Sequence, residues 1–338
     1  MRYSEGILIS VGISTTILAA VLGYVSWAKR TPGSQTPPPA RKTRQASCII
    51  KLGGSACTDK DRLETCDFEQ ISRFSEQLVE VCVADDSFKP IVIHGGGSFG
   101  HFQAKQFSVS AGAMSDSGQP MAPDESISGF LREGFSKTRL SVTTLNHYII
   151  KNMIQKGLPA VSVSPFPFIP VVKRRLRSSA WPWRDTLTRS LSEVLDLGLV
   201  PVLHGDACID TGERRTGILS GDTLFIHLCE EFSPTHAVFL ADVDGVLTGP
   251  PGTIPEPTLI EEILVDESGE WSVYDKLETS VRAHDVTGGI LNKIDAAVQV
   301  VRKCRIPVYI VKAGTVHALQ AIKGQVPPRG TLVRFHSA

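Results

Sequence analysis

Two apolar runs in this 338-residue chain end in glycines, and each carries a side chain suited to holding an anion. The first is Cys48-Ile49-Ile50-Lys51-Leu52-Gly53-Gly54-Ser55. The second is Ile91-Val92-Ile93-His94-Gly95-Gly96-Gly97-Ser98-Phe99-Gly100-His101. Glycine leaves backbone N–H groups bare, so a buried strand that opens into such a loop can close its amides on a phosphate. Lys51 adds a point charge and Lys60 a second cation, while His101 places a directed donor where a helix can begin. Neither run has the Gly-Lys-Ser/Thr ending of a Walker A loop. Neither is read as having the dinucleotide Gly-x-Gly-x-x-Gly spacing in its strand-turn-helix context, which leaves two strand-end loops that suit two phosphate groups brought face to face.

Further strand ends are polar. Pro201-Val202-Leu203-His204-Gly205-Asp206 repeats the pattern of an apolar run, a histidine and a glycine. Phe239-Leu240-Ala241-Asp242-Val243-Asp244-Gly245-Val246 places two carboxylates before a glycine, which a plain Asp-Gly turn would also do. In Leu219-Ser220-Gly221-Asp222 the carboxylate either caps the helix that follows or holds lysines by charge pairing. Asp285-Val286-Thr287-Gly288-Gly289 precedes Lys293, read here as an anion contact rather than a solvated charge.

The elements that must position these residues alternate. Strand-like runs at Cys48–Leu52, Pro90–His94, 160–164, Val200–His204, 237–241 and 307–311 are separated by helical spacing over Phe68–Ala84, 136–156, 186–197 and 293–303. Gly157 and Gly198 follow two of these helices as C-caps. The alternation predicts a mainly parallel sheet covered on both faces, with ligands at the carboxyl ends of the strands. Net charge is zero, from 35 basic and 35 acidic residues, which gives no reason to invoke nucleic acid. The seven scattered cysteines form no Cys-x-x-Cys pair, which argues against a disulfide framework or a structural zinc site.

Residues 1–46 differ from the rest. Residues 7–27 carry no charge and are long enough to span a bilayer, and Lys29, Arg30, Arg41, Lys42 and Arg44 follow. A membrane anchor within residues 1–30 would keep the downstream body cytoplasmic by the positive-inside rule. A cleaved signal peptide and a misplaced start codon are the alternatives. Residues 31–46 have a proline-rich linker's composition, leaving 47–338 as the folded domain.

The motifs quoted above, with Lys51-Leu52-Gly53-Gly54-Ser55, Ser220-Gly221-Asp222 and the second histidine of the glycine loop among them, resemble the amino acid kinase family. Within it they resemble the isopentenyl phosphate kinase branch, from about Cys48 to Phe335. His101 is similar to the residue that separates phosphate-accepting members from those that phosphorylate a carboxylate. The resemblance implies a three-layer α/β/α sandwich, ATP with Mg²⁺, and transfer of the γ-phosphoryl group to isopentenyl phosphate. It also implies a homodimer.

By the same resemblance Lys51, Lys60, His101, Asp222 and Lys293 are catalytic, with Lys51 and Lys293 also bridging the ATP phosphates. Gly53, Gly54, Ser55 and Gly97 wrap those phosphates, while Asp242, Asp244, Gly245 and Gly289 border the nucleotide. Gly96, His101 and Gly205 hold the acceptor's phosphate, and Asp222 orients the lysines. No cluster has the spacing of a protein metal cage, so Mg²⁺ arrives with ATP. An apolar slot is expected from Phe135, Leu140, Leu145, Tyr148, Phe166 and Phe168, residues that equally suit a core. The alternatives are another phosphate or carboxylate acceptor, or an inactive nucleotide-binding sensor.

Overall fold

Eight strands form the central sheet of the computed structural model, which describes residues 45–113, 127–172, 175–176, 182–249, 256–272 and 289–336. They are β1 Cys48–Leu52, β2 Pro90–His94, β3 Ala160–Ser162, β4 Val200–His204, β5 His236–Ala241, β6 Glu262–Val265, β7 Val308–Lys312 and β8 Thr331–Phe335. Their order across the sheet is β6-β8-β7-β5-β1-β2-β4-β3. Every pairing is parallel except that of β7 with β8. β1 is therefore central, flanked by β2 and β5, and its tip lies beside both of theirs.

Alternation along each strand sorts its residues onto two faces. Ile49, Ile91, Ile93, Leu203 and Phe239 pack under α4 (Pro182–Asp196), α5 (Gly221–Phe232) and α6 (Gly289–Cys304). Cys48, Ile50, Leu52, Val92, Val202 and Leu240 pack under α1 (Phe68–Ala84), α3 (Gly129–Gln155) and α7 (Val316–Ile322). The result is the expected three-layer sandwich. Burying β-branched and leucine side chains on both faces supplies its main stabilisation, about 1.5–3 kcal/mol for each fully buried side chain.

The same alternation assigns the functional side chains. Lys51 shares a face with Ile49, toward α5, whereas His94 shares one with Val92, toward α3. A six-residue helix, α2 (His101–Gln106), follows the second glycine loop.

The described residues all fall in one compact unit, Arg44–Ala338. The candidate anchor at residues 7–27 and most of the linker lie outside them, as do residues 114–126 and 285–288. Among the described residues no helix is long and apolar enough to cross a membrane. All seven cysteines are free thiols.

Candidate active site

The two glycine loops meet backbone to backbone. A Cβ placed on Gly54 would lie 2.4 Å from the Gly97 nitrogen and 2.6 Å from its Cα, and one on Gly95 would lie 2.7 Å from the Gly54 nitrogen. Only glycine permits that approach. Gly97 has φ +52°, in the left-handed region that glycine adopts at little cost. Thr58 clamps the pair: its Oγ1 donates to the Gly54 carbonyl at 2.8 Å and accepts from the Ser98 amide at 3.0 Å. Nothing in the sequence pattern singles out Thr58, which looks like an ordinary loop residue.

Beneath the loops the strand tips are tied together like steps. The Gly53 amide donates to the Leu240 carbonyl at 2.8 Å, Gly95 to Leu52 at 2.9 Å, and Gly205 to His94 at 3.0 Å. The amide of Gly96 has no acceptor among the described residues.

Lys51 is buried, and its Nζ lies 2.5 Å from Asp222 Oδ1 and 5.4 Å from the centre of the Phe239 ring. Asp222 is free for this because Ser220, not Asp222, caps α5: the Ser220 hydroxyl accepts from the Thr223 amide at 3.0 Å. Gly221 leaves room for the lysine, since a Cβ there would press on Lys51 Cε at 3.1 Å. Gly205 packs against Gly221, with a Cβ position 3.2 Å from the Gly221 nitrogen. His101 opens α2 with part of its surface exposed. Packing around the ring, and then the Lys51 charge, lower its pKa below the ordinary histidine value. Lys51, Asp222, His101, both glycine loops and Gly205 thus converge at one end of the sheet.

The other expected residues make contacts of their own. Lys60 is exposed and pairs loosely with Asp242 at 3.5 Å. Asp244 pairs with Arg329 at 2.9 Å. Gly245 is buried with its open face on Thr331 Oγ1, 2.7 Å from a Cβ position, so packing accounts for this glycine. Lys293 is buried on α6 and donates to the Gly289 carbonyl at 2.9 Å.

The anticipated apolar slot is divided. Leu145 belongs to the core, Leu140 is 68% exposed, and Tyr148 meets Phe99 and Phe68 edge to face. Phe168 packs against the opposite core, under α4 and α5. Phe135 and Phe166 do meet, edge to face at 5.8 Å. The Arg139 guanidinium lies 4.0 Å over Phe166 and pairs with Asp206 at 2.9 Å. Burial raises the Asp206 pKa to about 7 against the opposing pull of Arg139.

Gly95, Gly97 and Gly100 do have dinucleotide-loop spacing, contrary to the expectation above. What distinguishes the site is the second loop packed against Gly97, together with the brevity of α2. Fold and site define a class: a mainly parallel α/β protein with two strand-end glycine loops in backbone contact, beside a buried lysine–aspartate pair. The sequence pattern of the amino acid kinase family matches residues 47–312, and the chain belongs to that family.

Isopentenyl phosphate kinase of Arabidopsis thaliana is 35% identical, over 87% of this chain and 97% of its own. The Methanothermobacter thermautotrophicus enzyme of the same name is 30% identical, over 73% and 84%. A solved isopentenyl phosphate kinase superposes with a TM-score of 0.66 at 27% identity, covering 85% of this chain and 99% of its own.

Proposed function

We propose that this chain transfers the γ-phosphoryl group of ATP to the phosphate of isopentenyl phosphate, giving isopentenyl diphosphate and ADP. The observation that carries the reading is the backbone contact of Gly54 with Gly97, which sets two amide cradles side by side above Lys51. Phosphoryl transfer depends on positioning and charge neutralisation more than on covalent help. The acceptor already bears a nucleophilic phosphate oxygen, so the site needs no strong general base. The relatives named above support the choice of acceptor over most of their length.

In this reading Lys51, kept in place by Asp222, neutralises the transferring group. Gly53, Gly54, Ser55 and Gly97 wrap the ATP phosphates. His101, with the amides of Gly96 and Gly205, holds the acceptor's phosphate. Lys60 and Lys293 add charge to the same anions, and the Asp242–Gly245 turn and Gly289 border the nucleotide. Among the described residues no three His, Cys, Asp or Glu side chains converge on a point. Mg²⁺ would arrive with ATP, held by its phosphates and water, which suits a hard ion that dehydrates reluctantly. A homodimer is the expected assembly.

The test is turnover by the purified full-length chain with Mg-ATP and isopentenyl phosphate. Turnover is expected, and His101→Ala should lower it about 10²-fold, the effect of losing one preorganised donor. No turnover with this acceptor, but turnover with an amino acid, overturns the substrate. Unchanged kinetics in His101→Ala removes that residue from the site.

A further inference from the structure

Beneath the acceptor side of the cradle lies a hydrogen-bonded chain that the chemistry above does not use. It runs through side chains on β3, α3 and β2, with Asn146 and His94 buried and Ser162 at the exposed end. The Ser162 hydroxyl donates to Asn146 Oδ1 at 2.6 Å. Asn146 Nδ2 meets His94 Nε2 at 3.1 Å, and His94 Nδ1 meets the Gly95 carbonyl at 3.0 Å. A carbonyl can only accept, so Nδ1 must carry the proton. An amide nitrogen can only donate, so Nε2 must be bare. Both ends of the ring therefore demand one tautomer, and Ser162 fixes the amide that enforces it.

The Gly95 carbonyl is one side of the peptide that joins Gly95 to Gly96. In a trans peptide the C=O and the following N–H point in opposite directions. Drawing the carbonyl toward His94, on the α3 face of β2, turns the Gly96 N–H away from that ring. Gly96 is half-buried, and its amide has no acceptor among the described residues. His204 repeats the contact one strand over, with Nδ1 3.1 Å from the Gly205 carbonyl. The two rings lie 5.6 Å apart, in register across β2 and β4.

We propose that His94 is a positioning residue, whose ring, fixed in the Nδ1–H form by Asn146, aims the Gly96 amide at the acceptor's phosphate. The role of that amide rests on the reading under Proposed function. Burial and the neighbouring His204 lower the His94 pKa to about 3, so the ring stays neutral wherever a phosphate acceptor is ionised. A group that orients an amide dipole must not itself titrate through the working range.

The test uses the full-length chain with two substitutions that differ only in where they place a nitrogen. The amide nitrogen of His94→Asn falls near the place of Nδ1 and can still hold the Gly95 carbonyl. That of His94→Gln falls near Nε2 and cannot. His94→Gln is expected to lower kcat/KM for the acceptor about tenfold or more, the size of a lost hydrogen bond in the transition state, with KM for ATP unmoved. His94→Asn recovers most of that loss.

Equal losses in the two variants, or a KM for ATP that moves as far as the acceptor's, overturns the proposal. Should His94→Gln fail to fold, Asn146→Leu decides: lower acceptor efficiency supports the role and unchanged efficiency refutes it. Imidazole ¹⁵N spectra of histidine-labelled protein, assigned by the signal lost in His94→Asn, are expected to show the neutral Nδ1–H form. An Nε2–H signal refutes the role without any substrate, whereas a wild type inactive toward isopentenyl phosphate refutes the acceptor instead.

Discussion

Gly54→Ala acts first on the contact between the two loops. The added Cβ would sit 2.4 Å from the Gly97 nitrogen and 2.6 Å from its Cα, against an ordinary contact beginning at 3.4 Å. Both atoms are backbone, so no rotamer can relieve the clash. Gly97 is also held from its other side, because the neighbouring Ser98 amide is bonded to Thr58 Oγ1. The loops must part by about 1 Å, and a displacement of that size between bound reactants can cost about 10²-fold in rate. That corresponds to about 2.7 kcal/mol of barrier. Overpacking also costs about 1–3 kcal/mol of stability, so rates are compared well below the melting temperature.

The assay is initial-rate ADP release with acceptor and nucleotide varied in turn, beside a thermal melt. Gly129→Ala is the matched control. Its Cβ would meet nothing within 4 Å, and it opens α3, where alanine is the better helix former by up to about 1 kcal/mol. It should keep wild-type kinetics. A folded Gly54→Ala protein with kcat/KM within about threefold of wild type, under 1 kcal/mol of barrier, would refute the paired-cradle mechanism.

Two further expectations concern charge. Asp222→Asn leaves Lys51 buried beside an amide, so kcat should fall about 10²-fold; combined with Lys51→Met the losses should be far from additive, as for one functional unit. Additive effects in initial rates would show that the two act separately. Stability should decline as pH falls from about 6.5 to 4, because the native pKa values of His94 and His204 lie near 3 and 4, below the unfolded value of 6.5. The unfolded chain takes up those two protons first. Asp206 acts in the opposite sense, its native value near 7 standing above the unfolded 3.8, so its contribution is present in acid and lost as pH rises through about 7. From these three groups the balance is one net proton favouring the unfolded chain, about 1.4 kcal/mol per pH unit, and the lowered pKa values of His101 and His236 act in the same sense. Denaturant melts at several pH values measure it, and a slope of the opposite sign defeats the assignment.

Much of the layout was legible because buried parallel strands announce themselves. β1, β2 and β4 are mostly apolar runs with both faces covered, broken only by Lys51 and the closing His94 and His204, and their bounds follow from composition alone. The far edge of the sheet was not legible. β6 and β8 carry exposed Glu262 and Arg334, which pair at 2.6 Å and break the apolar run each strand would need to be recognised. Helix α3 starts earlier than its periodicity suggests because Gly134 interrupts the pattern. That glycine is imposed by Phe107, whose Cβ lies 2.0 Å from where a side chain on residue 134 would begin.

At the site, the two readings of Asp222 could be separated only by seeing which residue takes the cap. Asn146 and His94 sit on elements far apart in sequence and look like ordinary helix and strand residues, so their bond has no linear signature. Gly245 carried a turn signal that was real, but the reason for it is Thr331.

The two lysines near the cradle illustrate how one site divides rigid from movable charge. Lys51 is nearly dry, with Asp222 at 2.5 Å and an aromatic face at 5.4 Å, so its position is set before any ligand arrives. An ammonium has three N–H groups, and a single carboxylate contact leaves others to face an anion. Removing either partner would strand a charge in a dry site, which is why the pair is expected to act as a unit. Lys60 is the opposite case. It is 66% exposed and 3.5 Å from Asp242, and an exposed pair of that kind is worth about 0–1 kcal/mol. Releasing it costs little, so in the proposed reaction Lys60 would be free to swing toward charge that develops during transfer, with Lys51 held in place. A catalyst for two mutually repelling anions gains from both: fixed charge and fixed amides to bring them together, and one cheaply released cation to follow the phosphoryl group across.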